Sequence, residues 1–131
     1  MAMSSYLASI ILDAVFRNVP FSSPSTVYVA LYTSDPTDDD TGTEVSGGGY
    51  SRQEVTFSSP TAKDGRVEIS NDTEIVFGPA TEDWGTVTHV GLRDASTGGN
   101  LLYYGPLTVP HTVSTGQQLR FDVGGLMLTL D

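Results

Sequence analysis

The chain has 131 residues, of which 38% are hydrophobic, six are Lys or Arg, sixteen are Asp or Glu and none is Cys. That length and composition fit one globular domain, 1–131. The net charge of −10 disfavours nucleic acid and anionic membrane surfaces as partners, and the lack of cysteine excludes disulfides and zinc–thiolate sites, as suits a reducing cytoplasm.

Residues 1–17 lack the basic start of a signal peptide, and no apolar run approaches the ~20 residues of a membrane span, so a protein not exported by that route is expected. The same segment is the only one with helical grammar. Tyr6, Leu7, Ile10, Ile11, Ala14 and Val15 recur at three- and four-residue spacing, Ser4 or Ser5 can cap the start, Arg17 complements the C-terminal dipole, and Asn18 with Pro20 ends the run. A helix over 4–17, within an N-terminal segment 1–19, is predicted. Its apolar arc, widened by Phe16, exceeds what one sheet contact covers, which makes Tyr6, Ile10 and Phe16 candidates for contact with a neighbouring subunit. A helix that plugs an open end of the core accounts for the same residues equally well.

Strands follow, at 26–33, 50–58, 66–70, 73–77, 86–94, 100–107, 117–123 and 126–130. They are punctuated by Asp64-Gly65, Ser70-Asn71-Asp72, Ser96-Thr97-Gly98-Gly99 and Gly124-Gly125, which supply the turn positions of hairpins. Nothing alternates strand with helix, so the fold class is mainly β, an antiparallel β-sandwich or jelly-roll-like domain with one N-terminal amphipathic helix. Alternation places Leu119, Phe121, Val123, Leu126, Leu128 and Leu130 inward. The strand at 86–94 has no clean register and is expected to touch protein on both faces.

Between the first two strands lies a long acidic, Gly-rich loop, 34–49, too polar to bury and longer than a hairpin needs, hence a place to look for function. Asp35, Asp38, Asp39, Asp40 and Glu44 around Gly42 have spacing suggestive of a hard-cation loop, but the full calcium-loop pattern is missing and a solvated acidic turn accounts for the same residues. No metal ligand is assigned. Gly47-Gly48-Gly49 lacks the lysine and the strand-to-helix setting of a phosphate loop, and reads as a flexible entry to the strand at Tyr50.

Catalysis has little to work with. His89 and His111 are the only histidines, there is no nucleophile elbow, and scattered carboxylates discriminate nothing on an acidic surface. The expectation is a protein that is not an enzyme and has no cofactor, small-molecule substrate or catalytic residue. Tyr50, Tyr103 and Tyr104 are candidate partner-binding aromatics, whereas Trp84 is read as core. Neighbours in a strand point to opposite faces, so one of Tyr103 and Tyr104 needs a partner unless both faces of its sheet are covered.

The segments TVYVALYTSDP (26–36), GTEVSGGGYSRQ (42–53), WGTVTHVG (84–91) and GGNLLYYG (98–105), with the leading helix and the closing LMLTLD (126–131), resemble a family of small virion proteins of tailed bacteriophages. Its members are often labelled tail-fibre proteins. The resemblance covers nearly the whole chain and implies a structural component of the phage particle, assembled in the host cytoplasm, with no catalytic residues to carry over. The compact acidic sequence, without shaft repeats, favours a decoration or cement protein on the capsid surface. Such a protein would bridge major capsid protein subunits and contact copies of itself as a dimer or trimer. The alternative is a tail or fibre-associated host-adhesion module.

Overall fold

In the computed structural model, which describes residues 1–130, the single helix α1 spans Ser5–Phe16. Ser4 caps it: the hydroxyl accepts the Leu7 N–H at 3.1 Å and donates to the Leu101 carbonyl at 2.5 Å, so one serine starts the helix and ties it to the sheet. The last turn closes where the Arg17 N–H donates to the Asp13 carbonyl. The predicted helix and its cap are both present.

The strands are β1 (Ala2–Met3), β2 (Val27–Tyr32), β3 (Gln53–Val55), β4 (Thr61–Lys63), β5 (Arg66–Ser70), β6 (Ile75–Phe77), β7 (Gly85–Arg93), β8 (Leu101–Val113), β9 (Leu119–Phe121) and β10 (Met127–Leu130). Every pairing between them is antiparallel. A five-stranded sheet has the order β1-β8-β7-β2-β3, and two small sheets, β10-β5-β4 and β6-β9, accompany it. The fold is therefore mainly β and antiparallel with one N-terminal helix, as expected. Val29, Leu31, Val90 and Leu92 of the large sheet share one core with Ile75, Phe77, Leu119 and Leu128 of the small ones, which gives the layered packing of a sandwich.

The opposite face of the large sheet is also covered. Ala30, Tyr32 and Leu101 are buried there with Tyr104 packed against them, and the loop 34–49 lies over them. A backbone device makes room: a Cβ at Gly91 would stand 2.8 Å from the Tyr32 ring. Register shifts between Val87 and His89 and between Leu92 and Arg93 switch parity along β7. Val87, Val90 and Leu92 consequently face the main core while Arg93 faces the loop, which is why no single register was legible. Both faces being covered, Tyr103 and Tyr104 need no outside partner.

Several expectations are corrected. Val123 and Leu130, placed inward by alternation, are exposed: Val123 lies beyond β9 at the Gly124 turn, and Leu130 pairs with Val67 at the end of the small sheet, past the core. The strand at 50–58 shrinks to β3 because Gly47, Gly48 and Gly49 all take positive φ and turn the chain just before it. Those glycines are no flexible entry. The Gly48 carbonyl accepts from Trp84 Nε1 at 2.8 Å and from the Thr81 N–H at 2.8 Å, and a Cβ there would meet the Trp84 ring at 2.9 Å. The exposed strand β4 carries no hydrophobic alternation to announce it. Strand β8 runs on through Pro106 and Pro110, alongside the register shift where proline is tolerated.

Candidate functional site

The large sheet's second face is where the long loop, the hairpin turn between β7 and β8, and the aromatic residues meet. Arg93 is the centre. Its side chain is 8% exposed and all five guanidinium donors are used: Nη1 and Nη2 reach the two Asp40 carboxylate oxygens at 2.8 Å each, Nη1 also the Tyr32 hydroxyl at 3.0 Å, Nη2 the Gly99 carbonyl at 3.0 Å, and Nε the Gly98 carbonyl at 3.2 Å. This is the bidentate fork that only arginine offers.

A second arginine repeats the arrangement one step along the loop. Arg52 donates to both Glu44 oxygens at 2.7 and 2.8 Å and to the Ala95 and Gly98 carbonyls at 2.8 Å. The Gly98 carbonyl thus joins the two arginines. Tyr50 completes the set, donating to Glu44 Oε2 at 2.7 Å and accepting the Leu31 N–H at 3.0 Å. Burial opposes ionisation of Glu44, but the Arg52 and Tyr50 hydrogen bonds outweigh it and hold the carboxyl below its ordinary value. Burial, then the Glu44 carboxylate, push the Tyr50 hydroxyl well up. For Arg93, burial works against the charge but Asp40 and Tyr32 more than offset it, so the guanidinium is held charged.

At the loop's tip, Tyr104 donates to Asp38, which pushes its hydroxyl up to about 12. Asp35 accepts the Thr37 N–H at 2.9 Å, and the Asp38 carbonyl accepts the Ser5 N–H at 2.9 Å, joining loop to helix. The loop carboxylates are thus spread over separate partners rather than gathered. Among the described residues no three His, Cys, Asp or Glu side chains converge as a metal site would require.

The candidate residues separate into three groups. Tyr103 is buried in the main core, and Tyr50 is half-buried, stacking on Phe77 at 6.1 Å and meeting Trp84 edge-on at 5.6 Å. Tyr104 is half-buried and held by Asp38. Ile10 is half-buried on α1, in a small groove with Tyr6 and Phe21. Tyr6 and Phe16 stand exposed. Sequence reasoning missed Leu12, Val19 and Phe21, also exposed, and both arginine networks; the excess of sixteen acids over six cations was the one available signal that an arginine would find a carboxylate.

Alpha-helix α1 has no fully buried residue. Its inner side, with Leu7, packs on the core, while Leu12, Val15 and Phe16 face away from it. A wider open cleft of about 690 Å³ lies between β8 and the β9–β10 region, lined by Met1, Leu107, Val109, His111, Arg120 and Met127 among others. Helix and strand faces thus leave apolar surface open to solvent, while of the loop carboxylates Asp38, Asp40 and Glu44 are engaged by Tyr104, Arg93 and Arg52 and Asp35 and Asp39 stay exposed.

Residues 2–129 match the model of a protein family described as podophage GP4 fiber I protein gp80. No curated protein matches the chain.

Proposed function

The chain belongs to the podophage GP4 fiber I protein family, and from that premise we propose that it is a non-enzymatic structural module of the virion's fibre apparatus, serving host adhesion rather than cementing the capsid. The observation that carries the reading is the extent of the family match, residues 2–129 of the 131. The fold supports it. Loop 34–49 is fastened down at Asp38, Asp40 and Glu44, so the module is braced on both faces of its main sheet, as suits a part that transmits load without changing shape.

The main sequence expectation, capsid decoration, is not supported by the family description; the fibre alternative is. Virions carrying an epitope-tagged copy, labelled with gold-conjugated antibody, test the choice. Labelling confined to the tail vertex, with quantitative gels showing on the order of a dozen copies as expected of a cyclic tail assembly, is the expected result. Uniform labelling of heads at hundreds of copies overturns it and returns the protein to the capsid surface. Binding of the purified chain to host cells supports adhesion directly.

A further inference from the structure

We propose that the pocket between loop 34–49, the chain entering β3 and the β7–β8 turn binds one uncharged sugar residue of a host-surface saccharide, held on the Arg52–Glu44 pair. The inference rests on the adhesion reading and names the ligand class that reading requires.

The pocket measures about 350 Å³, at the lower end of ligand sites and room for a single pyranose ring. Arg52 and Glu44 both line it, and the arginine side chain is only 7% exposed. Arg93 spends all five of its donors, whereas Arg52 makes four hydrogen bonds, one through Nε, two through Nη1 and one through Nη2. One N–H of Nη2 is left over. On the carboxylate, Oε2 accepts from both Tyr50 and Arg52, but Oε1 accepts only from Arg52 Nη2, at 2.7 Å, so one of its lone pairs is left over as well. A spare donor and a spare acceptor therefore stand on neighbouring atoms. Vicinal hydroxyls match them, one accepting from Nη2 while the next donates to Oε1.

Charge selects against ions. Arg52 and Glu44 are the only formally charged side chains lining the pocket, so an anion loses to Glu44 what it gains from Arg52, and a cation the reverse. The −10 of the whole chain turns acidic saccharides away a second time. Hydroxyl groups also suit the rim, where the exposed side chains of Ser46, Ser96 and Thr97 can each donate and accept. Val45 and the half-buried Tyr50 ring add apolar wall for the C–H face of a sugar. At Gly47 and Gly98, on the two sides, a Cβ would meet nothing within 4 Å, which leaves the mouth wide enough for a chain to continue outward.

The site is formed before any ligand arrives. Arg52 holds the Ala95 and Gly98 carbonyls as firmly as it holds Glu44, so the loop and the turn that make the two walls are fixed to each other. A single sugar bound this way reaches only millimolar affinity, which repeated copies in a fibre would raise by avidity.

The test follows backbone amide chemical shifts of the full chain during titration with methyl glycosides of glucose, galactose, mannose, rhamnose and N-acetylglucosamine, to ~50 mM, well above the Kd expected of so small a ligand. At least one should give a saturable response confined to residues 44–52 and 95–98, and glucuronate and glucosamine should bind more weakly than their neutral counterpart. Ser46→Phe places a ring in the mouth at an exposed position and should weaken binding roughly tenfold or more with an unchanged urea midpoint, whereas Thr108→Phe, exposed on β8, should leave it intact. No saturable response from any of the five sugars, a response elsewhere on the surface or indifferent to Ser46→Phe, equal binding of glucuronate, or an equal response to a neutral Gly-Ser peptide overturns the proposal. The fibre reading is decided separately by virion labelling: tail-vertex labelling of a chain that ignores sugars sinks only the saccharide site, and head labelling of a chain that binds them sinks only the fibre reading.

Discussion

Replacing Arg93 by methionine keeps the aliphatic stem and removes the fork that fastens loop 34–49 to the large sheet. Three kinds of partner are lost together. The Tyr32 hydroxyl, in a residue 1% exposed, loses the donor that Arg93 supplies, and a buried polar group losing its partner costs ~1–3 kcal/mol. Asp40 loses both its charge-assisted bonds, but its side chain is 35% exposed, so water recovers part of the interaction and the ~3–5 kcal/mol of a fully buried pair is discounted to about 1–2. The Gly98 carbonyl keeps its bond from Arg52. Destabilisation of about 3 kcal/mol follows, a fall in Tm of about 10 °C for a chain of this size.

Urea unfolding followed through Trp84, the one tryptophan, measures the loss. Arg93→Lys keeps the charge but not the bidentate geometry and should cost about half as much. In a cycle with Asp40→Asn, the double variant should be more stable than the sum of the singles by ~1–2 kcal/mol. A loss below about 0.5 kcal/mol for Arg93→Met, within the range of ordinary surface substitutions, refutes the view that this arginine anchors the loop.

Acid should loosen the same region. Because the folded Glu44 carboxyl sits below its ordinary value, its contribution is complete above the unfolded value near 4.3 and disappears as pH falls through the folded one; urea midpoints should drop from about pH 5 downward, less steeply in Glu44→Gln. Gly48→Ala should cost ~2–3 kcal/mol and shift Trp84 emission, since the new Cβ meets the indole at positive φ, whereas Gly47→Ala, with positive φ but open space, should cost only about 1 kcal/mol and leave the emission unchanged. Asn71, 1% exposed, donates to the Thr73 and Asp122 carbonyls at 2.8 and 2.9 Å and accepts the Leu126 N–H at 2.8 Å; Asn71→Ala leaves these buried groups unpaired and should cost about 3 kcal/mol, read as a lower urea midpoint.

Local grammar made the helix, its Ser4 cap, the Asp64-Gly65 turn and most strands legible, because each depends on spacing within a dozen residues. What escaped depends on partners far along the chain. Arg93 and Asp40 are 53 positions apart and Arg52 meets carbonyls 43 and 46 away, and nothing in composition tells an arginine bound for a buried fork from one bound for solvent. Alternation misplaced Val123 and Leu130 for a related reason: parity says which face a side chain takes, not whether the core reaches that far. Tyr103 and Tyr104 take opposite faces of their sheet and both faces are covered, the second by an acidic loop whose polarity alone predicts full exposure, because a loop can lie on a sheet when its carboxylates meet arginines and a tyrosine instead of water.

That inversion locates the outward-facing chemistry of the fold. An acidic loop free in solution would have been the natural contact surface of so charged a chain, yet Asp38, Asp40 and Glu44 are turned inward to Tyr104, Arg93 and Arg52. The large sheet is therefore spent on both sides: one face on the small sheets, the other on the loop. Much of the apolar surface left over lies on α1 and the end of the β5–β10 pair, where Leu12, Val15, Phe16, Val67 and Leu130 remain exposed, with Val109 and Val123 exposed elsewhere. Water penalises such a patch in proportion to its area. The loop braces the module from within, and the helix, tied by Ser4 to Leu101 and by Ser5 to the Asp38 carbonyl, presents its uncovered ridge from a fixed position. The Ser5 N–H to Asp38 carbonyl bond is the link between helix and loop, so variants that free the loop should also loosen the first turn of α1, read as faster amide hydrogen exchange there, and unchanged exchange in that turn would refute the coupling.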